Sequence, residues 1–395
     1  MKRVVVISLI LFSGMLYAQT DEDKNNEYKN ASSVMLDKED KLTIGGYGQV
    51  DYNQKLSGDE MNNGKLDVHR LVILFGYKFN ERTSFVTELE FEHVSEVYVE
   101  QAFLNYKIND YLNFRSGLLL IPMGIINEYH EPNTFNGVER PNLDSRIAPT
   151  TWREIGAGFS GKIQSANIKY QAYVVNGFNG YDGSAKFSGS GGLRSGRQKA
   201  AESYISSPNY TSKVEFYGIR GLNLGLSGYF GNSQSTLYQG VDKSDANEIS
   251  IADSSVIGLS MFGFDARYKT GGFMVRGQYY LGNISNSVQY NEFTGSDVGA
   301  SLQGYYIELG YDVLRHFDKC KTELIPFVRY ENYNTQNSVS GITSIDLSND
   351  RTEYTFGLGW KVADGAMIKA DLQLFGNESN ANFTKQFNAG IAVGF

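Results

Sequence analysis

Carboxylates repeat at every second position in one stretch of this chain. Glu88, Glu90 and Glu92 alternate with apolar residues, so a β-strand would place all three on one face. Such a row could attract cations to a water-filled passage. It could equally form a lattice of cross-strand ion pairs, because a tight turn at 80–83 would bring Arg70 beside Glu92. We favour the lattice, since exposed ion pairs are common and weak.

Patterns for catalysis and metal binding are missing from the sequence. The four histidines are scattered, and none lies at metal-ligand spacing from another: His69, His93, His130 and His316. No nucleophile elbow or zinc-binding helix motif occurs, and the single cysteine, Cys320, cannot form a disulfide within the chain. We therefore expect no enzyme activity, no metal and no cofactor. A hydrolase is the alternative from the enzyme class, but no triad or dyad can be assembled for it.

The composition narrows the class of protein. The 395 residues include 43 Gly, 27 Tyr and 24 Phe but only 6 Pro, and the net charge is −8. The mean hydropathy is negative, which excludes a helical membrane protein. A soluble β-protein or a transmembrane β-barrel remains, because a barrel hides its membrane signal in alternation. The negative net charge argues against nucleic acid as a partner.

Period-two alternation dominates from Lys41 onward. In the last segment Phe387, Ile391, Val393 and Phe395 share one face, and small or polar residues form the other. At about 9 to 13 residues, such segments are long enough to cross a membrane as tilted strands. Sixteen strands are predicted, at about 41–52, 65–79, 84–93, 96–107, 111–121, 152–161, 167–176, 210–219, 222–231, 255–269, 272–282, 303–314, 321–332, 351–362, 366–376 and 384–395.

The connections between these strands alternate in length. Those after even-numbered strands are tight, as at 80–83 and 363–365, whereas most of those after odd-numbered strands are long, as at 122–151 and 177–209. Short periplasmic turns and long outer loops are typical of bacterial outer-membrane barrels, and a soluble sandwich has no reason to sort its loops in this way. We therefore predict an all-β, antiparallel transmembrane barrel over residues 41–395, surrounded by outer-membrane lipid.

The first forty residues are predicted to lie outside the barrel. Basic residues, an apolar run at 4–12 and small residues before Gln19 predict a signal peptide at 1–18, cleaved after Ala18. Residues 19–40 are charged and are predicted to form a flexible periplasmic segment, with a short helix as the alternative. They are too few to fold the plug domain of an energy-coupled transporter.

The face opposite the apolar one carries both signs of charge. Because ionised groups at this density would pay a large desolvation penalty in a dry interior, we predict a wet lumen. Sixteen strands also enclose a space too wide for wall side chains to fill. The strand at 96–107 loses its parity near Glu100 and is left unassigned. The predicted inward bases are Arg70, Lys78, Arg115, Lys169, Lys213, Arg267, Lys269, Arg276, Arg329, Lys361 and Lys369, and the acids are Asp51, Glu88, Glu90, Glu92, Glu154, Glu215, Asp265, Glu308, Asp312, Glu323, Glu331, Glu353 and Asp371.

The connection at 122–151 is predicted to fold into the lumen and to narrow it. It holds four of the six prolines and the apolar pair Ile125-Ile126, which favours an ordered segment over a disordered one. An outward surface loop is the alternative. A second connection contains a basic, glycine-rich segment, 184–199, which could draw in anions but more often would be a flexible, solvated loop. The predicted residues of the pore and its constriction are Arg70, Glu88, Glu90, Glu92, Arg115, Glu128, Glu131, Glu139, Arg140, Asp144, Arg146 and Arg153.

Residues 100–124 carry a longer motif. The run EQAFLNYKINDYLNFRSGLLLIPMG joins an Ala-aromatic-Leu-x-Tyr strand, through a short turn, to Leu-x-Arg-x-Gly and Pro-x-Gly. The matching residues are Ala102, Phe103, Leu104, Tyr106, Arg115, Gly117, Pro122 and Gly124. This pattern resembles a signature of the phosphate-selective porin O and P family, including its Bacteroidetes-type members, with Met123 in place of the usual aromatic residue.

The resemblance implies a sixteen-stranded, trimeric porin that passes small hydrophilic solutes or ions by passive diffusion. It does not imply phosphate selectivity, because residues 118–121 are apolar where the family often has a glutamine and a lysine. A substrate-specific anion channel is one alternative, and a non-conducting barrel used for adhesion or as a hydrolase scaffold is another. We also expect the barrel assembly machinery to bind the terminal Phe395.

Overall fold

Sixteen antiparallel strands close into a barrel. The computed structural model describes residues 27–58, 61–317 and 319–395. The predicted signal peptide, 1–18, lies outside these residues. The strands are β1 Leu42–Lys55, β2 Lys65–Lys78, β3 Thr83–Glu92, β4 Glu96–Lys107, β5 Asn113–Leu120, β6 Arg153–Ile163, β7 Ile168–Val175, β8 Asn179–Tyr181, β9 Asn209–Ile219, β10 Leu222–Asn232, β11 Gln234–Ser235, β12 Gly258–Thr270, β13 Phe273–Ser285, β14 Ser301–Tyr311, β15 Glu323–Ser338, β16 Asp350–Ala363, β17 Ala366–Asn377 and β18 Asn380–Gly394.

Each strand of the barrel pairs with its neighbours in chain order, and β1 closes the ring against β18. The short strands β8 and β11 form a separate two-stranded sheet. The N–H of Phe395 donates to the Gly46 carbonyl at 2.9 Å, so the last residue takes part in the closure. All sixteen predicted strands coincide with barrel strands, with ends displaced by a few residues.

Alternation succeeds because each strand has one outward, apolar face. Leu226 on β10 is 64% exposed, and Phe262 on β12 and Ile391 on β18 are exposed in the same way. Residues next to them along each strand point inward. The outer surface of the barrel is therefore a continuous apolar wall, as a lipid-facing surface requires.

One extra residue explains the lost parity in β4. Gln101 lies opposite Glu88, but Val99 lies opposite Leu89, so Glu100 is a bulge between two paired positions. A bulge shifts the side-chain pattern by one residue and lets both Glu100 and Gln101 point inward.

Turns at one end of the barrel are short and loops at the other end are mostly long, as predicted. The turn between β9 and β10 needs Gly221, whose φ is +73° and where a Cβ would lie 2.1 Å from the Lys269 carbonyl oxygen. We call the two ends the short-turn end and the long-loop end. The turn from β14 to β15 is the longest at the short-turn end and carries the exposed Cys320.

Short helices lie in the connections. Residues 19–40 were predicted to be flexible, with a short helix as the alternative; within the described part, 27–40, α1 spans Ala31–Asp37. The others are α2 Leu143–Arg146, α3 Ala246–Ser254 and α4 Ser287–Thr294, with 3-10 turns at Pro132–Thr134, Gln164–Ala166, Arg194–Gly196, Thr236–Tyr238, Leu314–His316 and Leu347–Asn349. Of the helices in the described ranges, none is long and apolar enough to cross a membrane.

The connection from β5 to β6 folds into the barrel, as predicted. We call residues 121–152 the inward loop. Ile126, Leu143 and Trp152 within it are fully buried, and the wall of the barrel surrounds them.

The interior is more densely packed than predicted. At the level of the inward loop, wall charges such as Lys213, Glu308 and Arg329 do not face the open water that was predicted, because they are buried beneath the loop. The assumption that the inward face is polar is also wrong for part of the wall, where Val72 and Phe103 belong to a buried apolar cluster. The barrel interior is too wide for the side chains of the wall to fill it, as predicted, but the inward loop fills much of the remaining space.

Candidate pore constriction

The inward loop is fastened to β17 through its backbone. The Lys369 ammonium donates to the carbonyls of Phe135 at 2.6 Å and Gly137 at 2.9 Å. The adjacent Val138 N–H donates to the Asp371 carboxylate at 2.6 Å. An inward base and an inward acid on one strand therefore bind loop groups of opposite polarity, which fixes this part of the loop against the wall.

The other side of the barrel holds the loop through β9 and β13. The Lys213 ammonium lies 2.8 Å from the Glu128 carboxylate and 2.7 Å from the Gly124 carbonyl oxygen. On β13 the Gln278 side-chain oxygen accepts from the Ile125 N–H at 2.8 Å. Because it contacts opposite sides of the wall, the inward loop crosses the lumen.

A buried cluster joins the loop to β1, β3 and β4. His130 Nε2 lies 3.3 Å from Glu88 Oε1 and 3.1 Å from Glu100 Oε2. The Tyr47 hydroxyl donates to Glu88 at 2.6 Å and lies 3.2 Å from Glu100. Burial alone would lower the pKa of His130, but the two carboxylates raise it to about 10. His130 is therefore an imidazolium at neutral pH.

The same cluster has donor groups that a divalent metal could use. Glu88, Glu100 and His130 place one ligand atom each within 4.8 Å of one another. However, the two carboxylates are balanced by the His130 imidazolium and by Arg153, whose guanidinium is 3.7 Å from Glu100. These two cations already face the carboxylates, so the charge of the cluster gives no reason to assign it to a metal.

A cavity of about 290 Å³ lies on the long-loop side of the inward loop. Six basic and three acidic side chains line it, so it carries both signs with an excess of positive charge. Those charged residues are Arg70, Glu90, Glu92, Glu139, Arg140, Arg153, Arg194, Arg197 and Lys199. The first six belong to the predicted constriction.

The acids of this cavity are paired with the wall. Arg70 lies opposite Glu92 in register, as predicted, with 3.9 Å between charged atoms, and 3.1 Å from Glu90. The Glu139 carboxylate accepts from Asn53 at 2.9 Å. Glu90 and Glu92 thus form the cross-strand pairs that the sequence favours, and they line one side of the cavity, whereas Glu88 does not line it.

The bases on the other side are packed together. Arg197 donates to the Thr151 hydroxyl at 3.0 Å. Burial, followed by the charges of Arg194 and Arg153, lowers the pKa of Arg197 to about 9. Within the part of the chain that the structure describes, neither Arg194 nor Arg197 forms an ion pair with a carboxylate. Their mutual repulsion marks this side as a region of positive potential.

Three predicted constriction residues instead anchor the loop. Glu88 belongs to the His130 cluster and Glu128 pairs with Lys213, as described above. Glu131 accepts from the Ala31 N–H at 2.7 Å, and burial raises its pKa.

Three more lie elsewhere in the lumen. Asp144 accepts from the Tyr280 hydroxyl at 3.1 Å, and burial raises its pKa to about 7. Arg146 lines a separate cavity of about 300 Å³ together with Arg351. Arg115 is in the short-turn half of β5, where it donates to Asn105 at 3.0 Å, and it does not line the 290 Å³ cavity.

The segment 184–199 was predicted to be a flexible, solvated loop, and this is wrong. Phe187 is 2% exposed and Leu193 is 1% exposed, so two apolar side chains hold the segment inside the barrel mouth. That packing carries Arg194 and Arg197 into the cavity. The two apolar residues within a glycine-rich stretch were the signal in the sequence, and its overall composition concealed them.

Comparisons with known proteins place the chain in a family and a fold. No family model matches it. Over 340 residues it is 32% identical to an uncharacterized protein of Aquifex aeolicus (strain VF5), covering 84% of this chain and 74% of that one. The chain belongs to the family of that Aquifex protein.

Solved structures of outer-membrane porins share the barrel. The Salmonella typhi OmpF complex with daunomycin has a TM-score of 0.57 at 13% identity, covering 90% of this chain and 97% of that one. An anion-selective porin from Comamonas acidovorans has 0.54 at 11%, covering 90% and 99%, and Vibrio cholerae OmpT in its trimer form has 0.52 at 12%, with the same coverage. At these identities the likeness shows the fold alone. The protein is an outer-membrane β-barrel with the porin fold, so its short-turn end faces the periplasm.

Proposed function

We propose that the protein is a porin through which small hydrophilic solutes and ions diffuse passively. One observation carries the proposal: inside a closed barrel, an ordered loop crosses the lumen and leaves beside it a cavity of about 290 Å³ lined by charges of both signs. A solute in this cavity lies between the paired acids of β3 and the bases of the 184–199 segment. The field between them would orient dipolar solutes and disfavour apolar ones.

The rest of the assignment follows the same proposal. Transport needs no catalytic residue, metal or cofactor, so we propose that the protein is not an enzyme. Membership of the phosphate-selective porin O and P family, a homotrimeric assembly and recognition of Phe395 by the barrel assembly machinery are parts of the proposal. Residues 1–18 are proposed to be the signal peptide, and residues 19–40 the periplasmic segment.

An anion-preferring channel is the second candidate. The excess of bases over acids in the cavity favours it, because unopposed arginines attract anions and lower their entry barrier. The paired arginine Arg70 contributes less to this effect than Arg194 and Arg197, which have no carboxylate in ion-pair contact among the described residues.

Planar-bilayer recording under a KCl gradient tests both candidates. The general porin predicts steady conductance steps with a reversal potential near zero. The anion channel predicts a strongly anion-selective potential and block by submillimolar phosphate. Absence of steps from correctly folded protein would reject both.

A matched pair of variants locates the selectivity. Arg194→Gln combined with Arg197→Gln should move the reversal potential toward cations, because two cavity charges are removed. Arg115→Gln removes one base from the same lumen outside that cavity, and should leave the potential nearly unchanged. If the two variants shifted the reversal potential equally, the 290 Å³ cavity would not be the region that determines ion selectivity.

A further inference from the structure

Residues 27–38, directly before the first strand, lie inside the periplasmic end of the barrel. At one side of the lumen, the Arg267 guanidinium of β12 stacks on the Tyr28 ring at 4.2 Å from its centroid. At the other side, Met35 is buried against Gly45 of β1 and Gly76 of β2. In the ring β12 is the tenth barrel strand and β2 is the second, so seven strands lie between them on either side and they face each other across the lumen. The segment therefore crosses the lumen.

The wall under α1 is built to receive it. Inward positions of β2 to β4 are apolar here, namely Val72, Leu74, Val86 and Phe103, and all four are buried in one cluster with Met35. Apolar side chains facing a water-filled lumen would be unfavourable by about 25 cal/mol per Å² exposed. The two glycines leave room for the helix, because a Cβ on Gly45 would lie 2.5 Å from Met35 Cε.

Polar contacts join the segment to the inward loop as well as to the wall. The Ala31 N–H donates to the Glu131 carboxylate of the loop at 2.7 Å. The Tyr129 hydroxyl of the loop donates to the Tyr28 carbonyl at 3.1 Å. The buried Ser32 hydroxyl donates to Gln101 of β4 at 2.9 Å. The segment is thus in direct contact with the inward loop, which narrows the pore.

The segment also lines the space through which a solute would leave. A cavity of about 240 Å³ on the periplasmic side of the inward loop has Tyr28 and Lys29 in its lining, together with Tyr129, Arg267 and Arg276. On the opposite side of the lumen, α1 packs against β1, β2 and β3. The segment therefore occupies part of the lumen beside this cavity.

We propose that residues 27–38 are a tethered plug that obstructs the periplasmic mouth of the pore and that must be displaced for full conductance. The segment is small: two hydrogen bonds join it to the inward loop, one joins it to β4, and Glu27 pairs with Lys162 of β6 at 2.8 Å. Residues 39–41 join it to β1, so displacement from the mouth would leave it attached to the protein. The proposal rests on the diffusion function proposed above.

A deletion and a reversible lock test the plug. Deleting residues 27–37 should raise the single-channel conductance by about twofold or more, because a crosspiece of the exit is removed. The lock is Met35→Cys with Gly76→Cys in a Cys320→Ser background. A Cβ on Gly76 would lie 3.2 Å from the Met35 Cβ, close to the roughly 3.8 Å typical of disulfides. Oxidised protein should conduct no more than wild type, and reduction should raise its conductance.

The outcomes separate the two proposals. Cys320→Ser alone is the control and should not respond to reduction. Steps of equal size from wild type, the deletion and both redox forms of the lock would overturn the plug and leave the porin function standing. Folded protein that gives no steps in any form would reject the porin function itself. If the deletion does not fold, as judged by heat-modifiable migration on gels, equal conductance of the oxidised and reduced lock overturns the plug.

Discussion

Two parts of the inner wall of this barrel are built in opposite ways. On β2 to β4, near the periplasm, Val72, Leu74, Val86 and Phe103 form an apolar inward patch that packs with Met35 of α1. On β14, β15 and β17 the inward side chains are charged, and they bind the backbone and amides of the inward loop. Both parts are buried, but one is closed by apolar packing and the other by ion pairs and hydrogen bonds.

The difference shows that the chemistry of an inward face follows what covers it. An alternating strand has one face toward lipid, which must be apolar, whereas its other face is free to match water, a loop or a helix. Leu74 is inward because a helix lies over it, and Arg329 is inward because the Glu139 carbonyl and two glutamates lie around it. Substitutions in the two walls should therefore destabilise the protein for different physical reasons.

The largest effect is expected from the charged wall. Arg329 is fully buried, 2.9 Å from Glu331 and 3.5 Å from Glu308. Arg329→Ala would leave two buried carboxylates without their cation and should lower the free energy of unfolding by about 4 kcal/mol. Urea unfolding in detergent measures this. Lys107→Ala, which breaks the exposed pair with Asp110, is the control and should have no measurable effect.

The apolar wall should respond to loss of volume instead. Leu74→Ala would open a cavity beneath α1 and should lower the free energy of unfolding by about 3 kcal/mol. Leu71→Ala on the lipid-facing side of the same strand, where Leu71 is 46% exposed, should cost clearly less. Equal losses from the two leucines would mean that α1 does not pack on this wall.

A smaller, pH-dependent effect is expected at His130, where the inward loop contacts β3 and β4. Its folded-state pKa is raised from 6.5 to about 10 by the carboxylates of Glu88 and Glu100, against the effect of burial. The stabilisation is fully present below pH 6.5 and is lost as the pH rises through 10. Fluorescence of Trp152, in a Trp360→Phe background, should report loosening of the inward loop over this range.

His130→Gln is the matched control for that titration. It keeps a hydrogen-bonding side chain between the carboxylates and the Tyr47 hydroxyl, but it cannot carry the charge. The change in Trp152 fluorescence between pH 7 and 10 should then disappear. Persistence of the same transition in this variant would assign it to another group.

Local patterns carried most of the fold. Alternation gave all sixteen strands because every strand needs an apolar lipid face, whatever lies inside. The tight turn at 80–83 sufficed to place Arg70 opposite Glu92, since register follows from a short turn. The prolines and Ile125-Ile126 pointed to an ordered inward loop for a local reason too, because they limit the conformations of the loop itself.

The site was only partly predictable, because it depends on distant segments meeting. The His130 cluster joins residues from β1, β3, β4 and the loop, and the bulge at Glu100 cannot be read from alternation. Arg194 and Arg197 enter the cavity only because Phe187 and Leu193 find partners inside the barrel. The packing of α1 could be predicted only from the knowledge that β2 to β4 carry an inward apolar patch, which another part of the chain must cover.

The central claim is that solutes pass through the cavity beside the inward loop. Glu139 lies in that cavity and is half-buried, so Glu139→Cys in a Cys320→Ser background offers a thiol at the proposed constriction. Ser250→Cys, on α3 in an outer loop, is the control. Both should be labelled with a bulky thiol reagent, with labelling verified by mass, while single-channel conductance is recorded. We predict a stepwise fall in conductance for Glu139→Cys and none for Ser250→Cys. Fully labelled Glu139→Cys with unchanged conductance would contradict the claim.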